Sequence, residues 1–118
     1  MESFRYAMAG IIYSFNTQRN VRIHFFMAFL VLAVGCFFDL SAFELLLVIF
    51  TIAMVIITEM INTAIETTID MVTEQYHPLA EIAKNVAAGA VLIATLNALA
   101  VGYVIFGRRL LKIFLNLV

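Results

Sequence analysis

The chain has 118 residues, seven Lys or Arg against eight Asp or Glu, and a formal net charge of −1. Hydrophobic residues make up 64% of it and the mean hydropathy is +1.06, above the range of soluble domains, so the bilayer is the expected solvent. No basic surplus exists to support nucleic-acid binding, and the length suits one domain, residues 1–118. In residues 2–18, Phe4, Met8, Ile11, Ile12 and Phe15 recur at helical spacing, with Glu2, Arg5 and Asn16 elsewhere. That pattern predicts an amphipathic helix lying on the membrane surface. A polar collar follows from Asn16 to His24, in which Arg19 and Arg22 are read first as interfacial cations and second as contacts for a phosphate.

The first span is expected over 23–40, where no charged residue occurs before Asp39. Ser41 with Glu44 three residues on has the pattern of a capping box opening the second helix, 42–73. That helix is longer than a span requires, so its acidic last turns should project from the membrane. Glu74 to Pro78 reads as a turn. The third span is expected over 79–106, with no charge between Val86 and Phe106 and many small residues for close helix contact. Asn97 in its middle is read as an interhelical hydrogen-bonding residue. Cys36 is the single cysteine, so no internal disulfide is expected. The fold class is thus all-α integral membrane: a surface helix plus three transmembrane helices.

Within the second helix, Glu59, Asn62, Glu66 and Asp70 lie near 0°, about 300°, about 340° and about 20° at 100° per residue. Three carboxylates therefore share one face beside long apolar runs. Like charges so placed repel, and intramembrane acids are costly, so the stripe points to a cation and a phosphate ligand. Glu59 and Glu66 stand ~10 Å apart along the axis, too far to share one ion. Glu59, nearer the lipid, suits abstraction of a hydroxyl proton. Glu66, nearer water, suits Mg²⁺ bound to nucleotide phosphates. Asn62 lies between them, and Lys84 at the start of the third helix can offset phosphate charge.

The chain resembles the small prokaryotic diacylglycerol kinase family, in particular its Gram-positive undecaprenol kinase branch. The marks are Arg19-Asn-Val-Arg-Ile-His24, Glu59-Met-Ile-Asn-Thr-Ala-Ile-Glu-Thr-Thr-Ile-Asp70, His77-Pro-Leu-Ala80 and Ala83-Lys84-Asn85. The resemblance implies a homotrimeric lipid kinase of the bacterial inner membrane, using ATP and Mg²⁺ at sites facing the cytoplasm. It implies that Glu59 is the general base toward a lipid alcohol, undecaprenol or diacylglycerol, and that Glu66 binds metal. Asn62, Asp70 and Lys84 then surround the nucleotide phosphates, and Tyr6 stands where some members place a tyrosine near the nucleotide.

Two positions depart from the family pattern. Gln18 stands where a second metal-binding Glu is usual, and Asn85 where Asp follows the lysine. Both remain in the expected nucleotide set, and Gln18 in the metal set, each as an amide that ligates without charge. The alternative reading is therefore an impaired or diverged nucleotide- and metal-binding membrane protein. A cation transporter is a third reading, disfavoured because the third span carries only Asn97. Orientation is not decided by charge: with the stripe inside, Arg5, Arg19, Arg22 and Lys84 face Arg108, Arg109 and Lys112, four against three. The cytoplasmic assignment rests on where nucleotide is found.

Overall fold

The computed structural model describes residues 1–118 as four helices: α1 (Glu2–Thr17), α2 (Arg19–Phe37), α3 (Ala42–Val72) and α4 (Pro78–Leu117). No strand is present. Three of them, α2, α3 and α4, are long and apolar enough to cross a membrane. The chain is an all-helical membrane protein.

The α1–α2 junction is one residue wide. Gln18 adopts an extended conformation, φ −110° and ψ 113°, and the helix resumes at Arg19. The polar collar is thus helical for most of its length, where sequence alone marks only the apolar run from Ile23. The sharp break stays satisfied because Arg22 donates from one guanidinium nitrogen to the carbonyls of Phe15 and Asn16, both at 3.0 Å. Those carbonyls belong to the last turn of α1 and have no partner within the helix.

Asp39, at φ 54°, turns the chain between α2 and α3 in the left-handed region that Asp tolerates better than most residues. The Ser41–Glu44 capping box forms as its spacing predicts, with both bonds at 3.2 Å. Along α3, the hydroxyls of Thr58, Thr63, Thr67 and Thr68 donate to the carbonyls of Met54, Glu59, Thr63 and Ala64. These bonds let hydroxyls enter an apolar environment without leaving a donor unpaired. After α3, His77 caps α4 by accepting from the Leu79 amide at 3.1 Å, and Pro78 takes the first helical position.

α4 does not stop at Phe106. It runs to Leu117, because nothing after Gly107 breaks it and Leu, Lys and Arg favour helix. α3 and α4 pack antiparallel as the main pair, with α2 on α3 and α1 on α2. Two ion pairs close their ends: Asp70 with Lys84 at 2.7 Å and Glu44 with Arg109 at 2.7 Å. The pairs are ~38 Å apart along the helices, more than the ~30 Å hydrocarbon core and less than the whole bilayer. The two therefore cannot both lie within that core. Only 12 of 118 residues are buried, so the chain shields little of its apolar surface by itself and needs lipid or other helices around it. Asn97 is exposed on α4 and makes no hydrogen bond within the chain.

Candidate functional site

Glu59 is the one buried carboxylate, 4% exposed, at the level where the apolar half of α3 ends. The α2 helix brings His24 against it, Nε2 to Oε2 at 3.7 Å. That separation is within ion-pair range and beyond a hydrogen bond. In the sequence His24 is only the last residue of the polar collar. Its relation to Glu59 depends on the α2–α3 register, which no local pattern reveals.

One turn along α3, the side-chain amide of Asn62 donates to Glu66 Oε1 at 3.4 Å. The Asn62 carbonyl oxygen is buried with no donor. A buried acceptor without a partner costs ~1–3 kcal/mol. This one belongs to the amide whose nitrogen contacts Glu66, a half-buried carboxylate. Further on, Asp70 is exposed and holds the Lys84 ammonium at 2.7 Å. The order along α3 is thus Glu59 buried, Asn62 and Glu66 half-buried, and Asp70 exposed, a track from the interior of the bundle to its end.

Asp70, Lys84 and Asn85 also line a cavity of about 720 Å³ at the α3–α4 turn, with Thr73, Glu74, Gln75, Tyr76, His77 and Glu81. The sequence marks 74–78 only as a turn, with His77 in a family motif, since polar residues between helices carry no signal for a cavity of their own. The Tyr76 phenol pKa is raised by its hydrogen bond to Glu81. Tyr6 is exposed on α1 and Gln18 is half-buried at the α1–α2 junction; neither forms a side-chain hydrogen bond to the stripe. Arg19 is exposed at the start of α2, whereas Arg22 is engaged with the end of α1.

No three His, Cys, Asp or Glu side chains converge as a metal site. Glu66 and the Asn62 carbonyl oxygen nonetheless fit Mg²⁺, which takes oxygen ligands and commonly needs only one or two carboxylates when phosphates supply the rest. The donor set suits a metal delivered with nucleotide, not one held by protein alone.

A second cavity, about 470 Å³ and mostly apolar, runs between α2, α3 and α4. His24 and Thr95 line it together with Met27, Ala28, Val55, Ala98, Gly102 and Phe106. From Thr95 to Phe106 is ~16 Å of helix, reaching from the level of Glu59 into the apolar part of the bundle.

Residues 5–106 match the family described as prokaryotic diacylglycerol kinase. The chain is 46% identical over 101 residues to a diacylglycerol kinase of Synechocystis, an alignment covering 85% of this chain and 58% of that protein. The chain thus spans somewhat over half the length of that relative. It is 38% identical over 109 residues to the undecaprenol kinase of Bacillus subtilis, covering 92% and 89% of the two chains. It is 30% identical over 93 residues to the diacylglycerol kinase of Escherichia coli K12, covering 79% and 76%.

Proposed function

The chain belongs to the prokaryotic diacylglycerol kinase family, and on that premise we propose that it transfers the γ-phosphate of Mg-ATP to a membrane lipid alcohol. The observation that carries this reading is the graded stripe on α3. A buried carboxylate lies at its lipid end and a half-buried carboxylate with an amide oxygen lies nearer its water end. Phosphoryl transfer asks chiefly for alignment, charge neutralisation and a base, and these groups supply them in order.

Glu59 takes the proton of the lipid hydroxyl as its oxygen attacks the γ-phosphorus, the bond from that phosphorus to the β,γ-bridging oxygen breaks, and ADP leaves. Asn62 and Glu66 would hold a phosphate-bound metal, whose charge would neutralise the transferring group. Lys84, one turn beyond Glu66 along the pair, offsets charge on the rest of the nucleotide, with Asp70 holding its ammonium in place. Tyr6, Gln18 and Asn85 complete the nucleotide set, and Arg19 with Arg22 flanks it from the collar. The reacting end faces the cytoplasm, where ATP is, and the working unit is a homotrimer.

Undecaprenol is the preferred alcohol over diacylglycerol. The apolar groove that starts at His24 leads from the level of Glu59 into the bundle, which suits an isoprenoid chain. The undecaprenol kinase relative also aligns over nearly its whole length. Radiolabelled ATP offered with each lipid in mixed micelles tests the reading. A Glu59-dependent lipid phosphate is expected, with more product from undecaprenol. Absence of any such product with either alcohol overturns it.

A second reading is favoured by one observation: no cluster of acidic side chains surrounds Glu66, and the α1–α2 junction carries the amide Gln18. The chain is then a weakly active or diverged nucleotide-binding relative. Restoring both acids, Gln18→Glu with Asn85→Asp, separates the two readings.

A further inference from the structure

At the end of the bundle away from Glu66 and Lys84, α3 begins and α4 runs on past it. Arg109 joins them by donating to both carboxylate oxygens of Glu44, at 2.7 Å and 2.9 Å. Beside this pair lies a cavity of about 440 Å³ lined by Glu44, Val104, Ile105, Arg108, Arg109 and Lys112. Val104, Arg108 and Lys112 follow at intervals of four, as do Ile105 and Arg109, so adjacent rows of one helix face the same space.

The charges there are not balanced. Arg109 is committed to Glu44 and to the Ile105 carbonyl at 2.7 Å. Arg108 and Lys112 take part in none of the three ion pairs of the chain. Being four residues apart on one helix, they repel each other. An anion in the cavity relieves that repulsion and meets two unspent cations.

Depth narrows the choice of anion. The charge-free run from Val86 to Phe106 covers ~30 Å of α4, a full hydrocarbon core, and Arg108 follows at its far end, so the cavity falls in the layer of lipid phosphates on one membrane face. Val104, which lines it, is exposed on α4, apolar surface suited to the glycerol and upper acyl carbons of a phospholipid. We propose that this cavity binds the phosphate of an anionic glycerophospholipid, with Arg108 and Lys112 as its ligands and the Glu44-held Arg109 as its rigid wall. The three cations lie beyond the residues that match the family. The site is separate from the phosphoryl-transfer stripe and independent of it.

The test uses the full chain in a neutral detergent, titrated with phosphatidylglycerol or phosphatidylcholine, with bound lipid counted by native mass spectrometry. Phosphatidylglycerol is expected to be retained on the order of tenfold more strongly, saturating at one lipid per chain. Arg108→Gln with Lys112→Gln should abolish the preference while the helical circular dichroism is unchanged. Lys112→Gln alone, on an exposed side chain, should reduce it if the double variant loses structure. Arg5→Gln with Arg19→Gln, at the other end, should leave it intact. Equal retention of the two lipids, or a preference that survives loss of Arg108 and Lys112, overturns the site. So does loss of preference in the Arg5 and Arg19 variant instead. Displacement of the lipid by millimolar inorganic phosphate would assign the cavity to a free anion and overturn the lipid assignment.

Discussion

The Glu59 carboxylate and the His24 imidazole meet across the α2–α3 contact, Oε2 to Nε2 at 3.7 Å, and no hydrogen bond engages the Glu59 side chain. A carboxylate that is shielded from water and not already spent on a donor is well placed to accept a proton from an incoming hydroxyl. Glu59→Gln keeps the shape and removes the base. Turnover should fall by about 100-fold or more, while helical content and Mg-ATP binding persist. An equal loss of nucleotide binding would mean that Glu59 holds the nucleotide and is not the base.

His24 is the only side chain from another helix that approaches Glu59 as a potential cation. Replacing it with Leu removes the polar group that faces the carboxylate across the α2–α3 contact. Lipid phosphorylation should drop by roughly tenfold, as expected for a supporting group in acid–base catalysis, with the KM for ATP unchanged. His24→Gln should recover part of the loss. If Leu and Gln variants behave alike, the imidazole contributes only packing.

The unpartnered oxygen of Asn62 makes a different prediction. If it faces phosphate-bound metal, Asn62→Leu should raise the KM for Mg-ATP several-fold, because one oxygen ligand and the donor to Glu66 are both lost. The variant should not be less stable than the parent by more than about 1 kcal/mol, since an orphaned buried acceptor is removed with it. An unchanged KM with wild-type turnover would exclude Asn62 from the nucleotide site.

Gln18 and Asn85 each replace an acid expected from the family pattern. Gln18→Glu with Asn85→Asp should lower the Mg²⁺ concentration for half-maximal activity and raise turnover, because hard cations favour charged oxygen ligands. A Mg²⁺ titration of both proteins checks this. Identical curves would show that the two amides are not a handicap.

Glu44 performs two tasks, capping α3 through Ser41 and holding Arg109. Arg109→Ala removes one task and Glu44→Ala both. Thermal unfolding in detergent should therefore rank Glu44→Ala below Arg109→Ala, by about 1 kcal/mol, the usual worth of a helix cap. The reverse order would show that the unpaired carboxylate costs more than the missing cap.

Much of the architecture is legible without coordinates. Apolar runs of membrane length mark the three long helices, and Ser41 with Glu44 marks the start of α3. The 3.6-residue period places Glu59, Asn62, Glu66 and Asp70 on one face. All of these are local: they follow from spacing, hydropathy and capping within a few residues of chain. The end of α4 is less legible, because residues 108–117 contain neither a helix breaker nor a span-like absence of charge.

The tertiary structure decided which of those residues meet. His24 reaches Glu59, Arg22 closes α1, and Glu44 reaches Arg109, through contacts that span 35, 6 and 7, and 65 positions of sequence. The wider two depend on the register between antiparallel helices, and a one-turn slip would leave the local patterns intact while separating every pair. The sequence by itself therefore determined a membrane helix bundle with an acidic stripe. Only the packing decided that the stripe begins in a buried carboxylate facing a histidine, and that the far end carries a cationic cavity. The physical reason is that helical periodicity sets the face on which a side chain lies, whereas the fit between helices sets what that face meets.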